Sequence, residues 1–289
     1  MTLQEAYNKG REILTKASIE DADIDAWYLL EYVTGVSRSS YYGNPFKDIQ
    51  DEEYVKYMGA ISKRKEHFPL QHIIGVQDFF GLTFNVNENV LVPRQDTEVL
   101  VEDVLHVIKS KIDKEEVHVL DMCTGSGCIL LSTLKYADKK CIGLGADISS
   151  KALEVACTNR DELKIDADFV LSNIFENIEG RWDVIVSNPP YIRSDVIPTL
   201  SEEVKNHDPL IALDGYEDGL YFYKKIVKES VDYIKDGGYL MFEIGYDQGD
   251  DVKKLMENAG YNSVYVKKDL AGLDRVVCGV YYHMGDNPL

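Results

Sequence analysis

The sequence predicts an α/β protein with a doubly wound, mostly parallel sheet, preceded by a small helical domain and a β-hairpin linker. From Gln95 onward, strand-like apolar runs alternate with helical runs, and repeated βα units form parallel sheets with helices on both faces. Before residue 69 the apolar residues recur at intervals of three and four, which is typical of helices. We therefore place the helical domain at 1–68, the linker at 69–94 and the sheet domain at 95–289.

The individual elements follow in chain order. Thr2, and Asp21 or Asp23, precede helical stretches and are candidate N-caps. After Pro69, residues 79–87 alternate around a glycine, which predicts the hairpin. A helix is expected from Gln95 to about Ile112, and a core helix over 216–233. Strands are expected at 117–121, 142–146, 169–171, 183–186, 239–243 and 275–280.

Composition disfavours several classes of protein. The chain has 31 Lys and Arg against 50 Asp and Glu, a net charge of −19, whereas nucleic-acid binding draws its affinity from Lys and Arg. No direct nucleic-acid binding is expected. The five cysteines contain no CxxC pair, so neither a metal site nor a disulfide framework is predicted. Without a leader-like start or an apolar run of about 18 residues, a cytoplasmic protein without membrane contact is expected.

A glycine loop separates the strand at 117–121 from the next helix. It reads Cys123-Thr124-Gly125-Ser126-Gly127, and its glycines let the backbone turn sharply and approach a bound cofactor. Asp147 ends the following strand, where a carboxylate can accept hydrogen bonds from ribose hydroxyls. Together they predict a nucleoside-binding site, which leaves open nicotinamide-dependent enzymes and S-adenosylmethionine-dependent methyltransferases. The Gly-Lys-Ser/Thr of nucleoside triphosphatases does not follow.

The tetrad Asn188-Pro189-Pro190-Tyr191 follows the strand at 183–186, at the end that opens onto the ligand crevice. Its prolines offer carbonyl oxygens and no backbone donors. The Asn188 side-chain oxygen and the Pro189 carbonyl can hold both hydrogens of a planar amino group and orient its nitrogen toward a methyl donor. Tyr191 offers a flat face for stacking. The tetrad therefore indicates methyl transfer to an amide or ring amino group, without a strong base.

Several stretches make the chain resemble the peptide chain release factor glutamine methyltransferases, also called the HemK family. Besides the glycine loop and the tetrad, the matching stretches are 69–75, 79–82, 92–98, 212–215, 218–220, 269–272 and 274–275. The resemblance covers nearly the whole chain. The tetrad is shared with methyltransferases that modify adenine or guanine, whereas stretches like 93–98 beside a helical N-terminal domain are characteristic of the glutamine-modifying branch.

This resemblance implies a seven-stranded methyltransferase sheet, S-adenosylmethionine as cofactor and S-adenosylhomocysteine as product. It implies as substrate the glutamine of the Gly-Gly-Gln loop in bacterial class I release factors, methylated on its side-chain amide nitrogen and gripped by the helical domain. The cofactor-binding residues would be Cys123, Thr124, Gly125, Ser126, Gly127, Asp147, Asn173 and Asn188. The substrate-binding residues would be Arg94, Asn188, Pro189, Pro190 and Tyr191, with Asn188, Pro189 and Tyr191 catalytic.

Two positions depart from the family pattern. Cys123 stands where the family usually has glycine; its side chain could crowd the methionine part of the cofactor, although a small residue at negative φ would be tolerated. Asn173 replaces an acidic residue, and its carbonyl is expected to accept a hydrogen bond from the adenine amino group. Three alternatives stay open: methylation of a ribosomal-protein glutamine, methylation of a nucleic-acid base, and a non-catalytic binding module that keeps the fold.

Overall fold

The computed structural model describes residues 1–283, and these form two units. Unit 1 comprises Met1–Val76 and the short segment Ser201–His207, and unit 2 comprises Gln77–Leu200 and the chain from Asp208 onward. The glycine loop and the tetrad belong to unit 2. The predicted boundaries at 68/69 and 94/95 stay a prediction.

Unit 1 consists of short helices around a small apolar core. Thr2 closes a capping box with Glu5 at the start of the first helix, whereas Asp21 makes no side-chain cap hydrogen bond at the start of the second. Arg64 is buried, and its guanidinium pairs with Asp25 and with Glu203 of the inserted segment. The helices are α1 Leu3–Lys16, α2 Ala22–Thr34, α3 Arg38–Gly43, α4 Asp51–Lys65, α5 Leu70–Ile74 and α9 Glu202–His207.

The predicted hairpin is confirmed as strands β1 (Val76–Phe79) and β2 (Leu82–Asn85). The two linking residues, Phe80 and Gly81, both have positive φ (50° and 74°), which suits the tight turn of a two-residue hairpin.

A seven-stranded sheet forms the centre of unit 2, which confirms the predicted fold class. The strand order is β5-β4-β3-β6-β7-β9-β8; neighbours are parallel except in the pairs β7–β9 and β9–β8. The sequence missed β8, because this edge strand is largely exposed and carries polar residues where a buried strand has an apolar run. The strands are β3 Glu116–Met122, β4 Lys140–Asp147, β5 Asp168–Leu171, β6 Trp182–Ser187, β7 Ile234–Glu243, β8 Tyr261–Lys268 and β9 Asp274–Tyr281.

Apolar residues cover both faces of this sheet. Along β6, Val184 and Val186 pack into one core cluster while Ile185 packs into the other, as alternating side chains require. The predicted helix at 216–233 is shorter than expected, because Tyr216 and Gly219 both have positive φ and the helical turns begin later. The helices of unit 2 are α6 Glu98–Ser110, α7 Cys128–Tyr136, α8 Ser150–Leu163, α10 Leu210–Leu213, α11 Tyr221–Ser230 and α12 Gly249–Asn258, with 3-10 turns at Gln95–Thr97 and Ile197–Thr199.

The strand order places a crevice at one edge of the sheet. From β3 the chain proceeds to β4 and β5 on one side and returns through β6 on the other, so the order reverses between β3 and β6. Ligands of such sheets bind outside the carboxyl ends of the strands at this reversal. Within residues 1–283, no helix is long and apolar enough to span a membrane.

Candidate active site

The glycine loop turns by using left-handed backbone conformations. Gly125 and Gly127 have φ of 54° and 79°, and Gly127 is the residue directly before α7. Cys123 also lies in this region, with φ of 61°. A small residue at negative φ would be tolerated at this position, but the turn after β3 imposes the conformation that glycine adopts without cost, and the cysteine adopts it with strain.

Asp147 ends β4 beside this loop. Residues of β3 and β4 pair in parallel register, Met122 with Ala146, so the two carboxyl ends meet. The carboxylate of Asp147 accepts hydrogen bonds from the backbone N–H groups of Gly125 and Ser149, both at 2.9 Å. Burial raises the pKa of Asp147, while these N–H donors act in the opposite direction. The carboxylate is thereby fixed in orientation, with lone pairs left for a ligand diol.

A cavity of about 360 Å³ opens between the loop, Asp147 and the tetrad. That volume is in the range of small-molecule sites. It brings together most of the predicted residues: Arg94, Cys123, Thr124, Gly125, Ser126, Asp147, Asn173, Asn188 and Pro190 line it, whereas Gly127, Pro189 and Tyr191 do not.

The cavity suits a nucleoside-containing cofactor such as S-adenosylmethionine. A methyl group added at Gly125 would meet no atom within 4 Å, so the loop leaves open space on this side. Asp147 presents to the cavity a carboxylate of the kind that binds a ribose diol, and apolar side chains such as Ile148 and Phe222 offer surfaces of the kind that contact a ring.

Asn188 follows β6 at the cavity edge. Ser187 pairs with Met122 of β3, which sets the tetrad next to the glycine loop. The Asn188 Nδ2 donates to Thr97 Oγ1 at 3.5 Å, and among the described residues no donor contacts its Oδ1. Pro189 and Pro190 are buried, which fixes the backbone on which Asn188 stands.

Tyr191 points into the protein rather than along the cavity wall. Its ring packs against the apolar core, and its hydroxyl lies 3.5 Å from Oε1 of Glu243. Burial raises the pKa of Tyr191 above its usual range. The predicted stacking of Tyr191 on the substrate stays a prediction.

The segment 212–220 supports the tetrad from behind. Ile192 donates its N–H to the Leu213 carbonyl, and Gly215 donates its N–H to the Ile192 carbonyl. A methyl group added at Gly215 would lie 2.8 Å from the Tyr191 Cα, so only glycine allows this approach. The segment therefore holds the tetrad backbone in place, which gives its sequence motif a physical reason.

Arg94 and Asn173 line the cavity but already have partners. Arg94 pairs with Asp208 at 2.8 Å. Asn173 donates to Glu176 at 2.7 Å, and its carbonyl oxygen, predicted to receive the adenine amino group, accepts from Lys225 at 3.5 Å. Lys225 also lines the cavity.

The sequence alone assigns no site role to Thr97 or to Glu243. Thr97 lies within the stretch 92–98, and in the structure it contacts Asn188 and lines the cavity. Glu243, 2% exposed, ends β7. Burial raises the pKa of Glu243 to about 7, against the opposing effects of Thr97, Arg275 and Asn188. A carboxylate at the end of a predicted buried strand was the available signal.

Comparison with known proteins extends these observations. Residues 5–75 match the PrmC N-terminal domain, and residues 96–203 match the methyltransferase small domain. The chain is 41% identical over 284 residues to the release factor glutamine methyltransferase of Clostridium botulinum, covering 96% of this chain and 98% of that protein. The corresponding protein of Clostridium acetobutylicum is 40% identical over 286 residues, covering 97% and 99%. A solved methyltransferase from Pyrococcus furiosus shares the fold, with a TM-score of 0.53 at 17% identity over 77% of this chain and 100% of that one.

Proposed function

This chain belongs to the release factor glutamine methyltransferase family, and from this premise we propose that it methylates a glutamine side-chain amide nitrogen in class I peptide chain release factors. The target is the glutamine of the Gly-Gly-Gln loop. S-adenosylmethionine is the cofactor and S-adenosylhomocysteine the product. The observation that carries the proposal is that Asn188 lines the same cavity as Asp147 and the glycine loop.

The chain's own residues supply orientation rather than acid–base chemistry. When bound, the cofactor supplies an electrophilic methyl group on a sulfonium. Asp147 would hold the ribose hydroxyls, and the loop 123–127 would accommodate the methionine part. The Asn188 side-chain oxygen and the Pro189 carbonyl accept hydrogen bonds from the two N–H groups of the target amide. These hydrogen bonds direct the amide nitrogen toward the methyl carbon. The new N–C bond would form as the bond between the methyl carbon and the sulfonium sulfur breaks, with the sulfur retaining the electron pair as a neutral thioether. The positively charged alkylated nitrogen is acidic and loses one proton to water.

The proposal is tested by incubating the purified protein with methyl-labelled S-adenosylmethionine and a bacterial class I release factor. We expect label on the single glutamine of the Gly-Gly-Gln loop, located by mass spectrometry, and none on a release factor in which that glutamine is alanine. Absence of transfer while cofactor binding is measurable by calorimetry would refute the proposal, as would label on RNA or on a ribosomal protein instead.

Asn188→Ala separates an enzyme from a binding module. Loss of one positioned hydrogen-bond partner should lower kcat by about 10²-fold or more, with cofactor Kd little changed. The matched control is Asn262→Ala, an exposed asparagine of β8 in the same unit, which should leave kcat unchanged. A protein whose cellular role survives in Asn188→Ala would be a scaffold.

We propose that unit 1, the helical unit, binds the release factor. It exposes large aromatic side chains, including Tyr42 (72% exposed) and Phe46 (70%), the residue types that anchor protein interfaces. Replacing both with serine should raise KM for the intact release factor. It should leave KM unchanged for a short peptide containing Gly-Gly-Gln, which lacks the rest of the release factor that this surface is proposed to bind. Equal changes for both substrates would contradict this role.

The proposal also implies where in the cell the reaction takes place. Release factors act at the ribosome, so we assign the protein to the cytoplasm. The charge of −19 supports recognition of the release factor itself rather than of nucleic acid. Labelling of a free release factor in the absence of ribosomes and RNA is the outcome expected.

A further inference from the structure

Glu243 is a buried carboxylic acid directly behind the tetrad, and the chemistry above does not use it. Its neighbour Phe242 pairs with Ser187 of β6, so Glu243 lies beside Asn188 in the register of the sheet. Its Oε1 lies 3.5 Å from the Tyr191 hydroxyl, and its Oε2 has no hydrogen-bond partner among the described residues. A buried carboxyl oxygen without a partner carries a desolvation cost, and such atoms call for an explanation.

The Asn188 amide has two ends of nearly equal size, one a donor and the other an acceptor. The proposed reaction requires the oxygen end to face the substrate. On the protein side, Nδ2 faces Thr97 Oγ1, and both Thr97 and Asn188 lie close enough to Glu243 to favour its ionised form. Two hydrogen-bond acceptors, the Thr97 hydroxyl and the Glu243 carboxylate, therefore lie on the side where the NH₂ end of Asn188 must be held.

We propose that Glu243 is a positioning residue whose carboxylate, with the Thr97 hydroxyl, holds the NH₂ end of Asn188 inward so that Oδ1 faces the reacting nitrogen. This inference rests on the proposed function for the identity of the reacting nitrogen. A hydrogen bond to an ionised carboxylate is about twice as strong as a neutral one. Thr97 alone, at 3.5 Å, is a weak anchor.

The surroundings of Glu243 determine when it is ionised. The titratable and charged groups facing it are Arg275 of β9, Asp96 of the 3-10 turn before α6, Tyr191, Tyr223 of α11 and Cys128 of α7. Burial is the dominant influence and raises the pKa of Glu243 to about 7. Above that pH the Glu243 carboxylate accepts a hydrogen bond from Nδ2 of Asn188. Below it the protonated acid can instead donate to Oδ1 of Asn188, which rotates the amide by about 180° and exchanges its two ends.

The first test measures Asn188 directly and needs no substrate. In the full-length protein labelled with ¹⁵N-asparagine, the Asn188 side-chain NH₂ signals are those absent from Asn188→Ala. In wild type they should shift with pH, with a midpoint near 7. In Glu243→Gln this transition should be missing, since an amide does not ionise. Because the pKa of Asp121 is also raised to about 7, the difference between wild type and Glu243→Gln isolates Glu243.

The second test is methyl transfer to a class I release factor. Glu243→Gln should lower kcat about tenfold at pH 8, with KM for the release factor and Kd for the cofactor within about twofold, and its rate should no longer respond to pH between 6 and 8. Thr97→Val, which replaces the hydroxyl with a methyl group of similar size, should lower kcat less. It provides a second variant if Glu243→Gln folds poorly.

The matched control is Asp103→Asn. Asp103 is another buried carboxylate of unit 2; it lies on α6 and is paired with Tyr265 and Lys267 of β8. Loss of the Asp103 carboxylate should lower Tm. It should leave unchanged both kcat and the shift of the Asn188 signals with pH.

The outcomes separate this inference from the proposed function. If the Asn188 signals titrate through Glu243 but no methyl reaches the release factor, the proposed function fails and the positioning role is supported. If the signals do not titrate, or Glu243→Gln keeps the wild-type kcat and pH profile, the positioning role is overturned. A parallel fall of Tm, cofactor affinity and kcat in Glu243→Gln would indicate a merely structural carboxyl and would also overturn it.

Discussion

The left-handed backbone at Cys123 predicts that glycine stabilises the protein more than alanine at this position, which reverses the usual order. At a position with ordinary φ, glycine lowers the stability of the folded protein by about 0.5–1 kcal/mol relative to alanine. At φ of 61° an L-residue instead carries a cost of about 1–2 kcal/mol that glycine escapes. Since Cys123→Gly and Cys123→Ala both remove the thiol, their difference isolates the backbone effect. We expect the glycine variant to have the larger unfolding free energy, by about 1 kcal/mol.

The assay is urea unfolding followed by the fluorescence of Trp182, which lies in unit 2. Trp27 of unit 1 is replaced by phenylalanine in every variant, because the chain has only these two tryptophans. With an m-value of roughly 3 kcal/mol/M, the two midpoints should differ by about 0.3 M. The control pair is made at Cys141 of β4, which has ordinary φ, and there alanine should be the more stable. If alanine is equally or more stable at Cys123, the strain argument is refuted.

Three further predictions follow from the same geometry. Gly215→Ala should lower kcat about tenfold or more, since the new methyl group must displace the Tyr191 backbone at a cost of about 1–3 kcal/mol; a kcat within twofold of wild type would contradict the close approach. Asp121 is buried with its pKa raised to about 7, so the native state binds this proton more tightly than the unfolded state, and stability falls as pH rises from about 4 to 7. Asp121→Asn, which stays neutral, should therefore gain unfolding free energy relative to wild type across that window, as measured by urea unfolding at several pH values. Asp183 shows the opposite sign, because two lysines and a backbone N–H outweigh burial and lower its pKa: Asp183→Asn should be less stable than wild type at pH 7, with the difference shrinking as pH falls below about 4.

Features encoded by contiguous residues were predictable. The hairpin turn needs only two residues that tolerate positive φ, and Phe80-Gly81 provides them where expected. The glycine loop and the tetrad are likewise short stretches whose local geometry follows from glycine and proline. The comparisons confirm the family and the cofactor inferred from these stretches.

Features that depend on contacts between distant segments were not predictable. Thr97, Asn188 and Glu243 come from three separate parts of the chain. The register of β6 with β7 places Glu243 beside Asn188, and Thr97 contacts Asn188 from the 3-10 turn before α6. Nothing near Cys123 in sequence reveals its φ, which the turn between β3 and α7 imposes.

The sequence by itself determined the alternation of strands and helices, the cofactor loop and the acceptor tetrad, because each depends on local pattern and side-chain chemistry. The tertiary structure alone decided which way Tyr191 points, which side of the Asn188 amide faces acceptors, and that Glu243 is a buried acid titrating near neutral pH. The physical reason is that burial, pKa and amide orientation depend on groups brought together by sheet register and packing, and these groups are far apart along the chain.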